Sequence, residues 1–414
     1  MRKVYVKKGT AIALFVIIAL ALVLRFSFVL YKLHDFKIGG DARNYLLMSR
    51  QLVDEGIYGY WYEGLPYGGS PGISNARVTP TYPLFLSSVY AALNDPYRQI
   101  TAVRIIQALT GGIISPLLTF LLMRRILGRD DGAVIAAFFV AIYPSYIYST
   151  AQILTEVISL ATMLLYFYFT ALGFKEKKTY AHLLAGGAFA VQILVRPAML
   201  PLFVIPFIYG WLTWFKKNRR AVVKIFVLSV IGFTVVMLPW WIRNYVTLNR
   251  VVLTAEAAGN PLLSGTYPYM KDVAKDVPDS IKGNSALQTE FAKKRIIEGF
   301  TTQTLLYFKW YTAGKIQFMF KLPWLPGIST LKIHDVFIHY FILILGVIGG
   351  AAAFARSRTG RAIVIYALLF LGLYLIFVPE NRYAYQLIFF LIMGASYLLC
   401  LMRDVIGKRF LGKT

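Results

Sequence analysis

Residues Ala11 to Leu30 read AIALFVIIALALVLRFSFVL, and their reading decides the fold. An α-helix rises ~1.5 Å per residue, so an apolar block of about 20 residues crosses a ~30 Å hydrocarbon core. Lipid offers backbone amides no partners, so such a block has to be helical. It follows MRKVYVKK, is longer than the core of a signal peptide and lacks an A-x-A-like cleavage site, which makes it an expected uncleaved anchor.

Similar blocks recur along the 414 residues, which are 58% hydrophobic and 16% aromatic. With a mean hydropathy of +0.60, this composition is too apolar for a soluble surface. The expected fold is an all-α polytopic membrane protein of about 10 transmembrane helices. The crossings fall near 10–31, 99–123, 132–150, 157–173, 180–195, 197–215, 222–242, 334–355, 361–378 and 383–402. The lone Cys400 excludes a disulfide framework and any cysteine-based metal cluster.

A net charge of +25 on a soluble domain would suggest nucleic acid, but the placement of the cations argues against it. Half of the 44 Lys and Arg residues fall in short clusters between apolar blocks. These begin at Arg2, Arg124, Lys175, Lys216, Arg356 and Arg403. Placing every cluster inside makes the intervening spans pair up and puts both termini in the cytoplasm. Three segments are then extracytoplasmic: a loop at 32–98, a turn at Glu156 and a second loop at 243–333. The expected organisation is an N-terminal membrane module over 1–242, the second loop over 243–333, and C-terminal membrane helices over 334–414. Each long loop carries an expected interfacial helix. TPTYPLFLSSVYAAL from Thr79 places Tyr82 and Tyr90 at headgroup depth, and TTQTLLYFKWYTAGKIQFMF from Thr301 does the same for Lys309 and Lys315.

The outer face is where chemistry should lie. In FKIGGDARNYLLMSRQLVDEGIYGYWY, from Phe36, Asp41 follows the Gly39-Gly40 pair and precedes a short amphipathic helix. It reads either as a helix N-cap or as a rigidly aimed catalytic carboxylate, and the roles are compatible. Glu156, in STAQILTEVISLATMLLYF, stands at membrane depth with no basic residue near it in sequence. An intramembrane carboxylate marks a functional site, and the bland reading is a first-turn residue favoured by the helix dipole. Arg77, Arg196 and Arg382 share the same face. Guanidinium groups hold phosphate bidentately, whereas any single one of them also suits a headgroup contact.

These stretches resemble a known family. DARNYLLMSRQLVDEG from Asp41, RVTPTYPLFLSSVYAAL from Arg77, YPSYIYSTAQILTE from Tyr143 and ENRYAYQLIFF from Glu380 resemble, in order and spacing, the GT-C glycosyltransferases. The likeness is to the protein O-mannosyltransferase and lipid A aminoarabinose transferase group, and it covers about half of the chain. Ala42 stands where protein mannosyltransferases tend to carry a second acidic residue.

The resemblance implies a GT-C-like bundle and an inverting transfer of a sugar from a polyprenyl-phosphate donor to an acceptor hydroxyl at the extracytoplasmic face. It implies Asp41 as base and Glu156 as the second catalytic acidic position. Arg77, Arg196 and Arg382 would hold the donor phosphate, and Tyr45, Tyr82 and Tyr383 would contact acceptor or donor. The acceptor class, whether glycan, lipid or protein, stays open, as does a divalent cation; no cofactor is implied with certainty. Membrane lipids are expected partners and nucleic acid is not.

Other patterns carry less. Asp272, Asp276 and Asp279 are interspersed with lysines and read as a solvated loop, not a calcium site. His334 and His339 do not align on one helix face. No P-loop or Rossmann glycine pattern occurs. A transporter or flippase of a lipid-linked sugar is the alternative from another class, and its site would lie near the bilayer midplane on broken helices. An outer-leaflet polysaccharide polymerase or ligase is a lesser alternative.

Overall fold

The structure is a computed structural model that describes residues 7–32, 38–61, 70–214, 218–256, 259–271 and 277–411. Of the residues named above, Arg2, Phe36, Lys216, Asp272 and Asp276 lie outside these ranges. Every regular element among the described residues is helical.

Seven described helices are long and apolar enough to cross a membrane: Lys8–Tyr31, Pro96–Leu127, Glu156–Glu176, Arg219–Leu248, Ile333–Arg356, Arg358–Ile376 and Asn381–Gly407. The bent pair Asp130–Ile142 and Pro144–Ala151 makes an eighth if counted as one span. The other two expected crossings coincide with shorter apolar helices, Tyr180–Val195 and Pro197–Leu212. At ~1.5 Å per residue a helix of that length reaches about 24 Å, less than a ~30 Å core.

Local chemistry sets the boundaries. Asp95 caps the second span by accepting from the N–H groups of Tyr97 and Arg98 at 2.8 and 3.0 Å, with Pro96 at the first helical position. Gly128 ends that span in the left-handed conformation. The bend of 59° between Asp130–Ile142 and Pro144–Ala151 falls at Pro144, whose missing N–H leaves the Val140 carbonyl without its helical donor. Arg25, inside the first span, supplies the replacement. Its guanidinium donates to the carbonyls of Val140, Ala141 and Ala21 at 3.0, 2.9 and 3.1 Å and is fully buried.

Among the described residues, the basic clusters that begin at Arg124, Lys175, Arg356 and Arg403 gather at one end of the bundle. Arg129 pairs with Asp131 and Asp404, Arg124 with Asp130, Arg125 with Glu176, and Lys175 reaches Thr359. Helices Ile333–Arg356 and Ala384–Leu411 approach closely where Gly349 meets the backbone of Gly394, the small-residue contact common between membrane helices.

Two loop expectations change. The helix Thr81–Leu93 forms, but Tyr82 is 0% exposed and Tyr90 is also buried, so both pack on protein, not among headgroups. In the second loop the helix from Thr304 runs through a π-turn at Trp310–Gly314 into Lys315–Phe320. Lys309 is exposed there, whereas Lys315 is fully buried against backbone carbonyls and makes no headgroup contact. Shielding by carbonyls competes with snorkelling as a way to keep a lysine solvated, and here it wins.

Candidate active site

The end of the bundle opposite the basic clusters collects the residues singled out from the sequence. Asp41 lies in the first turn of helix Gly40–Asp54, and Gly39, not Asp41, occupies the cap position. Gly40 has φ +53°, a conformation that favours glycine, and this turns the chain so that Asp41 enters the helix behind it. Its carboxylate is therefore free of capping duty. Oδ1 accepts from the Tyr60 hydroxyl at 3.2 Å and Oδ2 from Arg382 Nη1 at 3.2 Å. Arg382 sits on the turn Asn381–Tyr383 and also ion-pairs with Glu380 at 2.8 Å.

Glu156 opens helix Glu156–Glu176, where the dipole favours a carboxylate. Sequence offered it no cation, but the fold does: Arg196 Nη1 lies 3.0 Å from Oε1, and the two side chains are 3% and 13% exposed. The pair spans 40 residues and joins the start of one helix to the end of another, Tyr180–Val195. Burial opposes the charge of Arg196, but Glu156 together with the Tyr374 and Tyr383 phenols outweighs it, so the guanidinium is held above its ordinary value. Glu156 Oε2 is buried with no hydrogen-bond partner.

Tyr383 joins the two pairs. The Arg196 and Arg382 guanidinium carbons lie 5.5 and 5.4 Å from its ring centre, and Tyr374 stacks on it at 5.5 Å. Tyr45 packs edge-on to Tyr60 and Tyr82. Burial, then the charges of Asp41 and Glu156, push its phenol up, so it stays protonated and able to donate. Tyr82 lies beneath the cluster, and its hydroxyl donates to Gln107 Oε1 at 3.0 Å, which commits it to the fold. Arg77 follows Asn75, whose Oδ1 accepts from its backbone N–H, and Thr79 bonds the Val195 carbonyl beside Arg196.

Sequence reading missed Tyr60, Glu380 and Tyr374. Tyr60 had a signal, an aromatic run just past the helix that carries Asp41. Tyr374 had none, since it is one aromatic among many in an apolar span. Among the described residues no group of three or more His, Cys, Asp or Glu side chains is placed to hold a metal ion. Asp41 and Glu156 each face an arginine, a donor set that suits an anion better than a divalent cation. His339 is buried between the Tyr143 hydroxyl and the Phe320 carbonyl at 2.9 and 2.8 Å.

In fold the chain is GT-C-like, a helical membrane bundle with two long loops and a carboxylate–arginine cluster at one end. Within it, residues 78–242 match the profile of the family described as dolichyl-phosphate-mannose-protein mannosyltransferase. An oligosaccharyltransferase from Archaeoglobus fulgidus, tethered by a disulfide to an acceptor peptide containing the NVT sequon, superposes with a TM-score of 0.65 at 15% identity over 99% of this chain and 51% of that one. AglB from the same organism, in complex with an inhibitory peptide and a dolichol-phosphate, gives 0.59 at 14% identity over 97% and 51%. ArnT from Cupriavidus metallidurans bound to undecaprenyl phosphate gives 0.39 at 14% identity over 99% and 81%, too loose a superposition to argue from. The chain thus spans about half the length of the oligosaccharyltransferase. No curated protein matches the chain in sequence.

Proposed function

We propose that this protein is an inverting glycosyltransferase that moves a sugar from a polyprenyl-phosphate donor to an acceptor hydroxyl at the extracytoplasmic membrane face, with both termini cytoplasmic. One observation carries the reading. Asp41, Glu156, Arg196 and Arg382, from four separate elements, converge around Tyr383 at the end of the bundle away from the basic clusters. The GT-C fold supports it, as does the dolichol-phosphate held in the AglB complex.

The residues divide the work. Asp41 is the most exposed of the four, at 38%, and accepts the acceptor's proton as its oxygen attacks the anomeric carbon. The bond from that carbon to the phosphate oxygen breaks, and the charge gained by the phosphate falls to Arg382 and Arg196. Glu156 Oε2, buried and unpartnered, accepts a hydrogen bond from the incoming acceptor and orients it. Arg77 adds a further guanidinium for the donor phosphate, and Tyr45 and Tyr383 contact donor or acceptor. No step is routed through a metal ion. A transporter would need such groups near the bilayer midplane, whereas Glu156, Arg196 and Arg382 all lie at helix ends.

The test is release of free polyprenyl phosphate from a panel of polyprenyl-phosphate sugars, with purified wild type or Asp41→Asn and a crude acceptor extract. We expect release by wild type from at least one donor, and donor binding without release by Asp41→Asn. Release at the wild-type rate by the mutant refutes the base; no release by folded wild type from any donor refutes the reaction.

A further inference from the structure

The second outer loop grips the bundle around the turn that carries Arg382. Pro261 accepts from the Val378 N–H at 2.9 Å. Gly265 lies so close to the Phe377 backbone that a Cβ would collide with it, and its carbonyl accepts from the indole of the fully buried Trp310 at 2.9 Å. Lys315 completes the grip. Its Nζ donates to the carbonyls of Leu375, Phe377 and Ile376 at 2.7, 3.0 and 3.4 Å. These carbonyls close helix Arg358–Ile376, where the last acceptors lack intrahelical partners and the helix dipole is negative. An ammonium has three N–H donors and no acceptor, so it matches the three carbonyls.

We propose that Lys315 is a positioning residue for donor binding, tying the second loop to Leu375–Phe377 and so fixing the Asn381–Tyr383 turn with Arg382 aimed at the donor phosphate. The inference rests on the reading that Arg382 holds that phosphate. Sequence marked Lys315 only for headgroup contact, since a lysine in an amphipathic stretch looks the same whether it reaches water or a buried helix end.

The tie titrates. Burial pulls the Lys315 ammonium down to about 7. A neutral amine donates two hydrogen bonds and turns a lone pair toward a carbonyl, so the grip loosens as pH rises through that value. The charged and titratable groups around it are Tyr311, its ring 3.8 Å from Nζ, and Arg295 on the same loop. His339 lies below at the Phe320 carbonyl, and Arg382, Glu380 and Tyr383 lie beyond the carbonyls on the turn. Global stability moves the other way. The folded value lies below the ~10.4 of a free lysine, so between them the unfolded chain binds the extra proton and folding gains with pH. A purely structural lysine would therefore give no loss of function above pH 7.

The experiment measures the affinity of the purified full chain in nanodiscs for undecaprenyl-phosphate mannose, a phosphodiester whose single charge does not titrate, from pH 6 to pH 8. The charged fraction of Lys315 falls from about 0.9 to about 0.1, so the wild-type Kd should rise about tenfold. Lys315→Arg, charged throughout, should show no such rise, and Lys315→Met should bind about tenfold more weakly than wild type at pH 6. Arg382→Gln should bind weakly at every pH. Weak binding by Arg382→Gln with wild-type binding by Lys315→Met, or a wild-type Kd that does not change with pH, overturns the role of Lys315. Undiminished binding by Arg382→Gln overturns the donor-phosphate reading beneath it. If Lys315→Met does not fold, the pH profiles of wild type and Lys315→Arg decide alone.

Discussion

Breaking the Glu156–Arg196 pair from both sides at once should cost less than the sum of breaking it from each side alone. The oxygen and nitrogen are 3.0 Å apart and the side chains 3% and 13% exposed. Coulomb's law at an effective dielectric of 20 gives about 5 kcal/mol of attraction at that separation. Desolvation offsets much of this in the intact pair, but a single substitution leaves the other charge buried alone, at about 3–5 kcal/mol. Glu156→Gln and Arg196→Met should each lower stability by an amount of that order. The double variant should lose about 2 kcal/mol or more less than the sum of the two. Unfolding of the four proteins in mixed micelles, followed by tryptophan fluorescence, gives the cycle. Single effects that add to within about 0.5 kcal/mol would show that the charges do not meet, and with them would go the claim that Arg196 is anchored beside the donor site.

Two smaller substitutions test neighbouring parts. Tyr60→Phe removes the hydroxyl 3.2 Å from Asp41 Oδ1, a hydrogen bond to a charged group worth about 1.5–3 kcal/mol, so kcat should fall about tenfold with donor KM unchanged. An unaltered kcat would separate Tyr60 from the base. Arg25→Met strands the carbonyls of Val140 and Ala141 at the Pro144 bend and should destabilise the protein by about 2–4 kcal/mol, read by the same unfolding assay. A variant as stable as wild type would mean that the bend needs no clamp.

Charge in an oily chain is conspicuous, and that is why Asp41, Glu156, Arg196 and Arg382 could be picked from sequence. Their pairing could not. Arg196 is 40 residues from Glu156, and nothing local links the start of one helix to the end of the next. The cap expected of Asp41 failed for a local reason, since the Gly39-Gly40 pair lets the helix begin one residue earlier. Tyr82 and Lys315 were misplaced for a common cause. Hydropathy grades a segment as amphipathic, but the same pattern serves an interface or a protein groove, and only the packing partner decides. Arg25 went unremarked because one cation does not disturb a hydropathy average, yet its bonds to the Val140 and Ala141 carbonyls clamp the only bend of more than 40° between paired apolar helices among the described residues.

The pairing also bears on how the proposed chemistry would handle charge with side chains alone. Glu156 with Arg196 and Asp41 with Arg382 are neutral as pairs, so the site attracts an anionic donor by directed hydrogen bonds more than by net field. Each guanidinium has five N–H donors, of which the pairs use one on Arg196 and one on Arg382, with Glu380 facing a second. On the proposed reaction a phosphodiester of charge about −1 becomes a monoester approaching −2 as Asp41 takes up a proton and loses its own charge. Total charge is conserved, but its position shifts from Asp41 to the phosphate. Arg382 touches Asp41 already, so the cation released by the base is the one the leaving group needs, and the transfer of the proton is itself what frees it.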